Sequence, residues 1–498
     1  MFKTLQCDKD SYITNKIING ERKTNANFGD AGTLNLFKLY GMSNSGSIPN
    51  IELSRLLVHF DLSDLRELYS NGKIDLNSSK FNCSLSLKDV YGGQTTPIAF
   101  YVELNPLSKS FDEGVGKDVV YCSDYDVCNW LTSSYASGTW YEEGCNLSGS
   151  SNCDIITGSN GISWTKRQYF TTGLEDLSLD VTNIVSATLT NQLPDAGFRL
   201  SFSSAEETNT RTYFVKRFAS RTAYNTYMRP KIELKFDDSI QDDSLNLFAD
   251  NDCTLFLYNY GIDGLENLTS ASINVTGSNC LLLKLKTEIS GGYYELTYTG
   301  SQHALGSFPA TGIYSASFNV STTDSTIRNK LLASSSIEFS PIWCSLDGTY
   351  AYVTGSNVFL KQRNRTSINA SKKKYIVSVT NVPSQVHTTE EVVARVNVFD
   401  STEPSIVLKR TLEQIPNIVL RRAHFQLRDS ISNEIIIPFD TTFDSTRLSS
   451  DSEGLFLKFD ALQLPKDRTY VIDIMLKNND QTLTFLNASS EFKVSDLQ

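Results

Sequence analysis

The chain has 498 residues, enough for about three domains at roughly 100–200 residues each. With 45 Lys+Arg against 56 Asp+Glu its formal charge is −11, which argues against a general nucleic-acid or anionic-membrane surface, because phosphate binding needs clustered Lys and Arg. Hydrophobic residues at 40% exclude wholesale disorder, and 23 Tyr and 27 Phe beside only 4 Met lean toward strands.

The opening residues, Met1–Ile13, become charged at Asp8-Lys9-Asp10 after a few apolar positions. A secretory leader needs about 7–15 apolar residues there, so no export signal is expected. No stretch approaches the roughly 18 apolar residues of a transmembrane helix, so membrane insertion is not expected. Leu34–Leu39, Phe81–Leu87, Phe198–Phe202 and Ile232–Phe236 alternate apolar with polar residues, the period of half-buried antiparallel strands. Turn chemistry separates such runs at Asn71-Gly72, Gly92-Gly93, Gly291-Gly292 and Asp347-Gly348. Short helical turns are predicted at Leu62–Tyr69 and Val181–Val185.

Aspartates crowd Asp237–Asp252. Hard cations take such oxygens, but the EF-hand spacing and its glycine are absent, so the run reads as a solvated, protease-sensitive linker. Basic residues concentrate at Lys361–Lys374 and mark a second boundary. The expected fold class is all-β. A jelly-roll-like β-sandwich spans 1–236, an acidic linker 237–252, and two immunoglobulin-like β-sandwiches 253–371 and 372–498. Neither of the last two has the Cys…Trp…Cys spacing of true immunoglobulin domains.

Of nine cysteines, Cys122, Cys128, Cys145 and Cys153 share one stretch. A loop stapled by local disulfides and a loop of reduced thiols both fit this spacing. No CxxC occurs and no His stands at finger spacing, so neither a metal nor a cofactor is expected. Sequons such as those at Asn77 and Asn146 read as coincidence in an Asn/Ser/Thr-rich chain. Glu142-Glu143 is the best carboxylate pair, but neighbours on a strand point to opposite faces. No GxSxG, P-loop or GxGxxG-plus-helix occurs, so the chain is not expected to be an enzyme. Binding fits better. Tyr121, Tyr125, Trp130 and Tyr141 are the contact candidates, since loop aromatics stack on sugars and anchor interfaces.

The first 236 residues carry an ordered set of short motifs: Asp10-Ser-Tyr12, Asn27-Phe28-Gly29, Phe60-Asp61-Leu62-Ser63, Trp140-Tyr-Glu142, Thr-like Ser163-Trp164, Asp180-Val181-Thr182, Phe218-Ala-Ser220-Arg221 and Arg229-Pro230. This order resembles the DNRLRE-type domain, the family that includes disaggregatase-related carbohydrate-binding modules. The resemblance covers residues 10–236 and implies a framework of Asp61, Trp140, Trp164 and Arg221. Asp61 would end a strand and cap a turn, and Arg221 would pair with a carboxylate such as Asp61. The stretch between Asp89 and Trp140 is longer than the family pattern, and Thr222 replaces its usual acidic residue. From Tyr375 onward the chain resembles the C-terminal module of structural proteins of tailed bacteriophages.

These resemblances, with no enzyme motif and no leader, imply a structural protein of a tailed-bacteriophage virion, made in the host cytoplasm. It would sit at the tail, neck or baseplate periphery in several symmetric copies. Its partners would be other virion proteins and a host surface glycan, with no nucleic acid. The alternative is a secreted or cell-surface carbohydrate-binding module protein, and a third class is a polysaccharide lyase or depolymerase.

Overall fold

The structure, a computed structural model, describes every residue except 43–49, 121–123, 125, 136–137, 160, 263, 271, 306–307, 363–373, 402–417, 478–481 and 497–498. The chain forms two compact units. The first is Lys3–Tyr69 with Phe81–Lys235; the second is Met1–Phe2, Ser70–Lys80 and Phe236–Gln498. The fold is all-β throughout. Among the described residues no helix is long and apolar enough to cross a membrane.

The first unit is built on ten strands: β1 (Phe2–Thr14), β2 (Thr33–Gly41), β3 (Asn50–Phe60), β4 (Asn82–Leu87), β5 (Phe100–Pro106), β6 (Lys166–Phe170), β7 (Leu177–Asp180), β8 (Phe198–Phe202), β9 (Tyr213–Ala219) and β10 (Lys231–Lys235). Their order is β6-β5-β8-β3-β1-β10-β4-β7, with β9-β2 attached to β3. The alternating runs at 34–39, 82–87, 198–202 and 232–235 are all strands, because each puts every second side chain into the interior. The core is aromatic. Phe100 stacks on Phe170 at 5.0 Å and meets Phe202 edge-on at 5.3 Å, while Tyr213 and Phe218 of β9 close over them. The predicted helical turns are the helices α1 (Ser63–Ser70) and α2 (Thr182–Leu189).

Among the described residues the second unit holds three sheets of four strands or more. In the first, β11 (Asp252–Tyr258), β12 (Leu281–Ile289), β13 (Gly292–Leu305), β14 (Phe308–Asn319), β15 (Ser336–Cys344), β16 (Ala351–Thr354) and β17 (Val358–Lys361) run in the order β11-β14-β13-β12-β15-β16, with β17 on β15. Strand β13 pairs with β12 along 292–300 and with β14 along 301–305. One long strand thus serves two layers around a core of Leu281, Leu283, Leu285, Tyr314 and Trp343. The remaining two sheets, of four and six strands, lie between Tyr375 and Ser495. Phe459 of the four-stranded sheet meets Phe425 and Phe492 of the six-stranded one at 6.5 and 5.8 Å, which marks a sandwich core.

The 237–252 segment is not an exposed linker. Its carboxylates have partners, which offsets the cost of removing them from water. Asp243 accepts from Arg421 at 2.8 Å and from the Thr254 backbone at 2.9 Å. Asp250 accepts from Thr322 backbone and hydroxyl at 2.9 and 2.6 Å. The apolar residues between the aspartates, Leu247 and Ala249, are buried in the seven-stranded core. Phe248 bridges Lys361 in parallel, so the segment adds to the sheet edge. The expected boundary at 371/372 lies outside the described residues.

Candidate functional site

Strands β6, β5, β8 and β3 bury one face in the core through Phe100, Val102, Leu104, Phe170, Leu200, Phe202, Leu56 and Val58. Pleating then sends their alternate residues outward: Tyr169 and Arg167 on β6, Tyr101 and Glu103 on β5, Arg199 and Ser201 on β8, Arg55 on β3. Part of this outer face is roofed by the 107–165 segment. A cluster of Ile13, Leu57, Leu107, Phe111, Trp130 and Trp140 seals the two together.

The roofed part is a charged network in a largely dry setting. Arg55 grips both oxygens of Glu207 at 3.0 and 2.6 Å and donates to the Gly144 carbonyl at 2.6 Å. Its guanidinium lies 5.2 Å from the Trp130 ring centroid. Arg199 donates to the Cys145 carbonyl at 2.9 Å and to Ser201 at 3.0 Å. Burial holds its guanidinium below its ordinary range. Gly144 stands at φ +77, and a Cβ there would come within 2.4 Å of the Trp130 ring, so this close approach needs glycine.

At the open end of the same face, Tyr101 and Tyr169 sit opposite each other in register with ring centroids 4.9 Å apart. They are 41% and 49% exposed. Beside them Arg167 pairs with Glu103 at 3.0 Å, and burial pushes the Glu103 carboxyl up. Glu206 accepts from the Tyr101 backbone at 3.2 Å. Its other oxygen is buried and finds no partner among the described residues. An aromatic pair braced by carboxylates and guanidinia on a rigid sheet can stack on a ring and exchange hydrogen bonds with hydroxyls or amides.

The contact candidates separate. Tyr121 and Tyr125 lie outside the described residues. Trp130 is 5% exposed and fills the roof between Arg55 and Gly144, so it is a framework residue and not a contact. Tyr141 is 55% exposed with the Lys109 ammonium 4.4 Å from its centroid. Its backbone is fixed by Asp154, which also accepts from the Glu142 and Leu147 backbones. Trp140 and Trp164 are buried, and the Trp140 indole donates to the Asn129 carbonyl at 2.9 Å.

Asp61 accepts from the Ser63 backbone at 2.9 Å, as a strand-ending cap does. It does not pair with Arg221. Arg221 instead forks onto Glu113, and its backbone N–H donates to Asp10 at 2.6 Å. The partner comes from the long stretch after Asp89, which folds back over Asn27: the Asn27 amide donates to the Glu113 and Cys128 carbonyls. Burial pushes Asp10 up to about 7, with Glu113 adding to the rise against the Arg221 hydrogen bond.

Cys128, Cys145 and Cys153 are free thiols, and Cys122 lies outside the described residues. Cys128 and Cys145 are both buried in the roof cluster, and neither is bridged among the described residues. The aromatic pair Tyr101/Tyr169 and the arginines Arg55 and Arg199 were not singled out from the sequence. The signal of the two arginines is present as a charge inside largely apolar strands, Leu53–Phe60 and Phe198–Phe202.

No protein-family model matches this chain, and no curated protein matches it. Among solved structures, the N-terminal four Ig domains of Dscam1 isoform 7.44 align at 9% identity over 52% of this chain, with TM-score 0.13. The alignment spans 45% of that structure, under half its length. The FN1–FN3 domains of chicken CNTN1 align at 9% identity over 82% of this chain and 92% of that one, with TM-score 0.15.

Proposed function

We propose that the chain is a non-enzymatic structural protein of a tailed-bacteriophage particle, seated at the tail, neck or baseplate periphery. The outer face of the ten-stranded sheet is its attachment surface for another virion protein or a host glycan. The observation that carries the attachment reading is the exposed Tyr101–Tyr169 pair beside Arg167, Glu103 and Glu206. Exposed aromatics on a rigid sheet lose little side-chain entropy when they are covered, which suits a contact surface. The virion reading draws on the motif order of residues 10–236 and on the C-terminal resemblance.

The test has two arms. Mass spectrometry of purified particles should find the chain in fixed stoichiometry with tail proteins; its absence from intact particles overturns the virion reading. Tyr101→Ala/Tyr169→Ala should abolish incorporation or host adsorption while the purified chain keeps its unfolding transition. Normal incorporation together with normal adsorption overturns the surface assignment. Recovery of the chain from a bacterial surface, with no particle, would favour the carbohydrate-binding module.

A further inference from the structure

A groove lies far along the sequence from the aromatic pair, inside the 253–361 sheet. Strands β12 and β15 pair from Leu282↔Cys344 to Lys286↔Ser340 and then part. Beyond that point β15 pairs on its other edge, Ser336–Phe339 against β17. Helix α3 (Ser325–Ala333) underlies the fork. The opening is a groove of about 670 Å³, in the size range of small-ligand sites.

Its lining is unusual for a gap in packing. Lys286 holds its ammonium 4.1 Å from the centroid of Tyr293, a ring that is 61% exposed. Lys330 is fixed at the floor, donating to the Thr287 hydroxyl at 2.9 Å and to the Glu288 carbonyl. On the opposite wall Asn357 donates to Glu338 at 2.7 Å and accepts from Ser340 at 2.7 Å. The groove therefore offers two ammoniums, one open aromatic ring and a chain of paired hydroxyl, amide and carboxylate groups.

We propose that this groove binds a short saccharide bearing a carboxylate, of the hexuronic or sialic acid type. A sugar ring has an apolar C–H face for Tyr293 and hydroxyls that both donate and accept, which Asn357, Ser340 and Glu338 match. Its carboxylate would lie between Lys286 and Lys330, where the charge-assisted bonds are strongest. Glu288 and Glu338 balance the two lysines, which disfavours a polyphosphate or nucleic acid and suits a ligand with one negative charge per ring. A peptide strand would want apolar side-chain pockets, and this lining is polar. The assignment does not depend on the reading of the ten-stranded face.

The test is saturation-transfer NMR on the full chain with trimers of galacturonate, glucuronate and N-acetylneuraminate, each against a neutral trisaccharide. At least one acidic trimer should bind, and Lys286→Ala and Tyr293→Ala should each weaken it by about tenfold or more, the scale of one lost charge-assisted or stacking contact. Lys286→Arg should restore most of the binding. Binding that falls with Tyr101→Ala/Tyr169→Ala instead of with Lys286→Ala and Tyr293→Ala would belong to the ten-stranded face and overturn the proposal. No transfer from any acidic trimer up to roughly 10 mM, a concentration that reaches the weakest useful sites, overturns the proposal. So does equal binding of the neutral sugar, or binding indifferent to Lys286→Ala and Tyr293→Ala.

Discussion

Asp154 in the 107–165 segment and Asp243 in the 237–252 segment are both nearly buried, at 0% and 4% exposure, yet they are held differently. Asp154 takes three backbone N–H groups, from Tyr141, Glu142 and Leu147, at 2.8, 2.9 and 3.1 Å. Asp243 takes one backbone N–H, from Thr254, and the guanidinium of Arg421, whose side chain is 47% exposed. Three amides around one carboxylate are fixed by the loop they shape, and none can swing away when the carboxylate is removed. Arg421 can. An aspartate that organises a loop from inside therefore stabilises more than one that meets a cation at the rim.

The sharpest way to break this comparison is to remove each carboxylate in turn. Asp154→Ala should destabilise the first unit by about 3–5 kcal/mol, because it orphans three fixed backbone donors together. Asp243→Ala should cost the second unit only about 1–2 kcal/mol, since Arg421 regains water. Trp130, Trp140 and Trp164 lie in the first unit and Trp343 in the second, so tryptophan emission after Trp343→Phe reports urea unfolding of the first unit alone, and its difference from the emission of the unsubstituted chain reports the second. Equal losses, or a larger loss from Asp243→Ala, would remove the distinction.

A second substitution asks whether the roof is held by charge or by shape. Arg55 supplies a two-pronged contact to Glu207, a bond to the Gly144 carbonyl and the stack on Trp130. Arg55→Lys keeps the charge but cannot reproduce that fork. A loss of about 2–3 kcal/mol from the first unit is expected, with a red shift of Trp130 emission as the roof loosens. A cost below about 0.5 kcal/mol, the scale of a neutral surface change, would show that charge alone suffices.

Strand positions were legible because period-2 alternation at Leu34–Leu39, Phe81–Leu87 and Phe198–Phe202 is a local property. The helices at Ser63–Ser70 and Thr182–Leu189 were legible for the same reason. What failed was long range. Trp130 looked like a contact because it stands in a loop, and nothing local shows that Gly144 and Arg55 enclose it. The partner of Arg221 is Glu113, 108 residues earlier, and sequence order cannot rank it against Asp61. The aspartates at 237–252 read as solvated because their charges are visible and the partners Arg421 and Thr322 are not. The Tyr101–Tyr169 pair was missed because it exists only once β5 and β6 are in register.

The two units also share a titration. Burial pushes Asp10 in the first unit and Asp242 in the second each up to about 7 from 3.8. A carboxyl whose folded value is raised favours the folded state while protonated. Its stabilisation is complete below the unfolded value and is lost as pH rises through about 7. Asp10→Asn should therefore flatten the fall in first-unit stability between pH 4 and 7, by on the order of 1–2 kcal/mol once relaxation around Arg221 is allowed for. Asp242→Asn should do the same for the second unit alone. Chemical denaturation at several pH values reads this directly, and an unchanged slope in both variants would refute it.

The smallest expected effect is none at all. If Asp154 and the roof cluster fasten the 107–165 segment, reductant should not change its stability, because Cys128, Cys145 and Cys153 are free thiols. Burial pushes Cys128 and Cys145 up to about 12, so almost no thiolate exists at pH 8 to react or exchange. Under native conditions both should resist iodoacetamide for hours and become labelled only after the first unit unfolds. A disulfide across a short loop would instead contribute about 2–3 kcal/mol in the entropic model, and dithiothreitol would lower the unfolding midpoint of the first unit by several degrees. A reductant-sensitive midpoint would shift the fastening of this segment from Asp154 to sulfur and undo the comparison from which these predictions start.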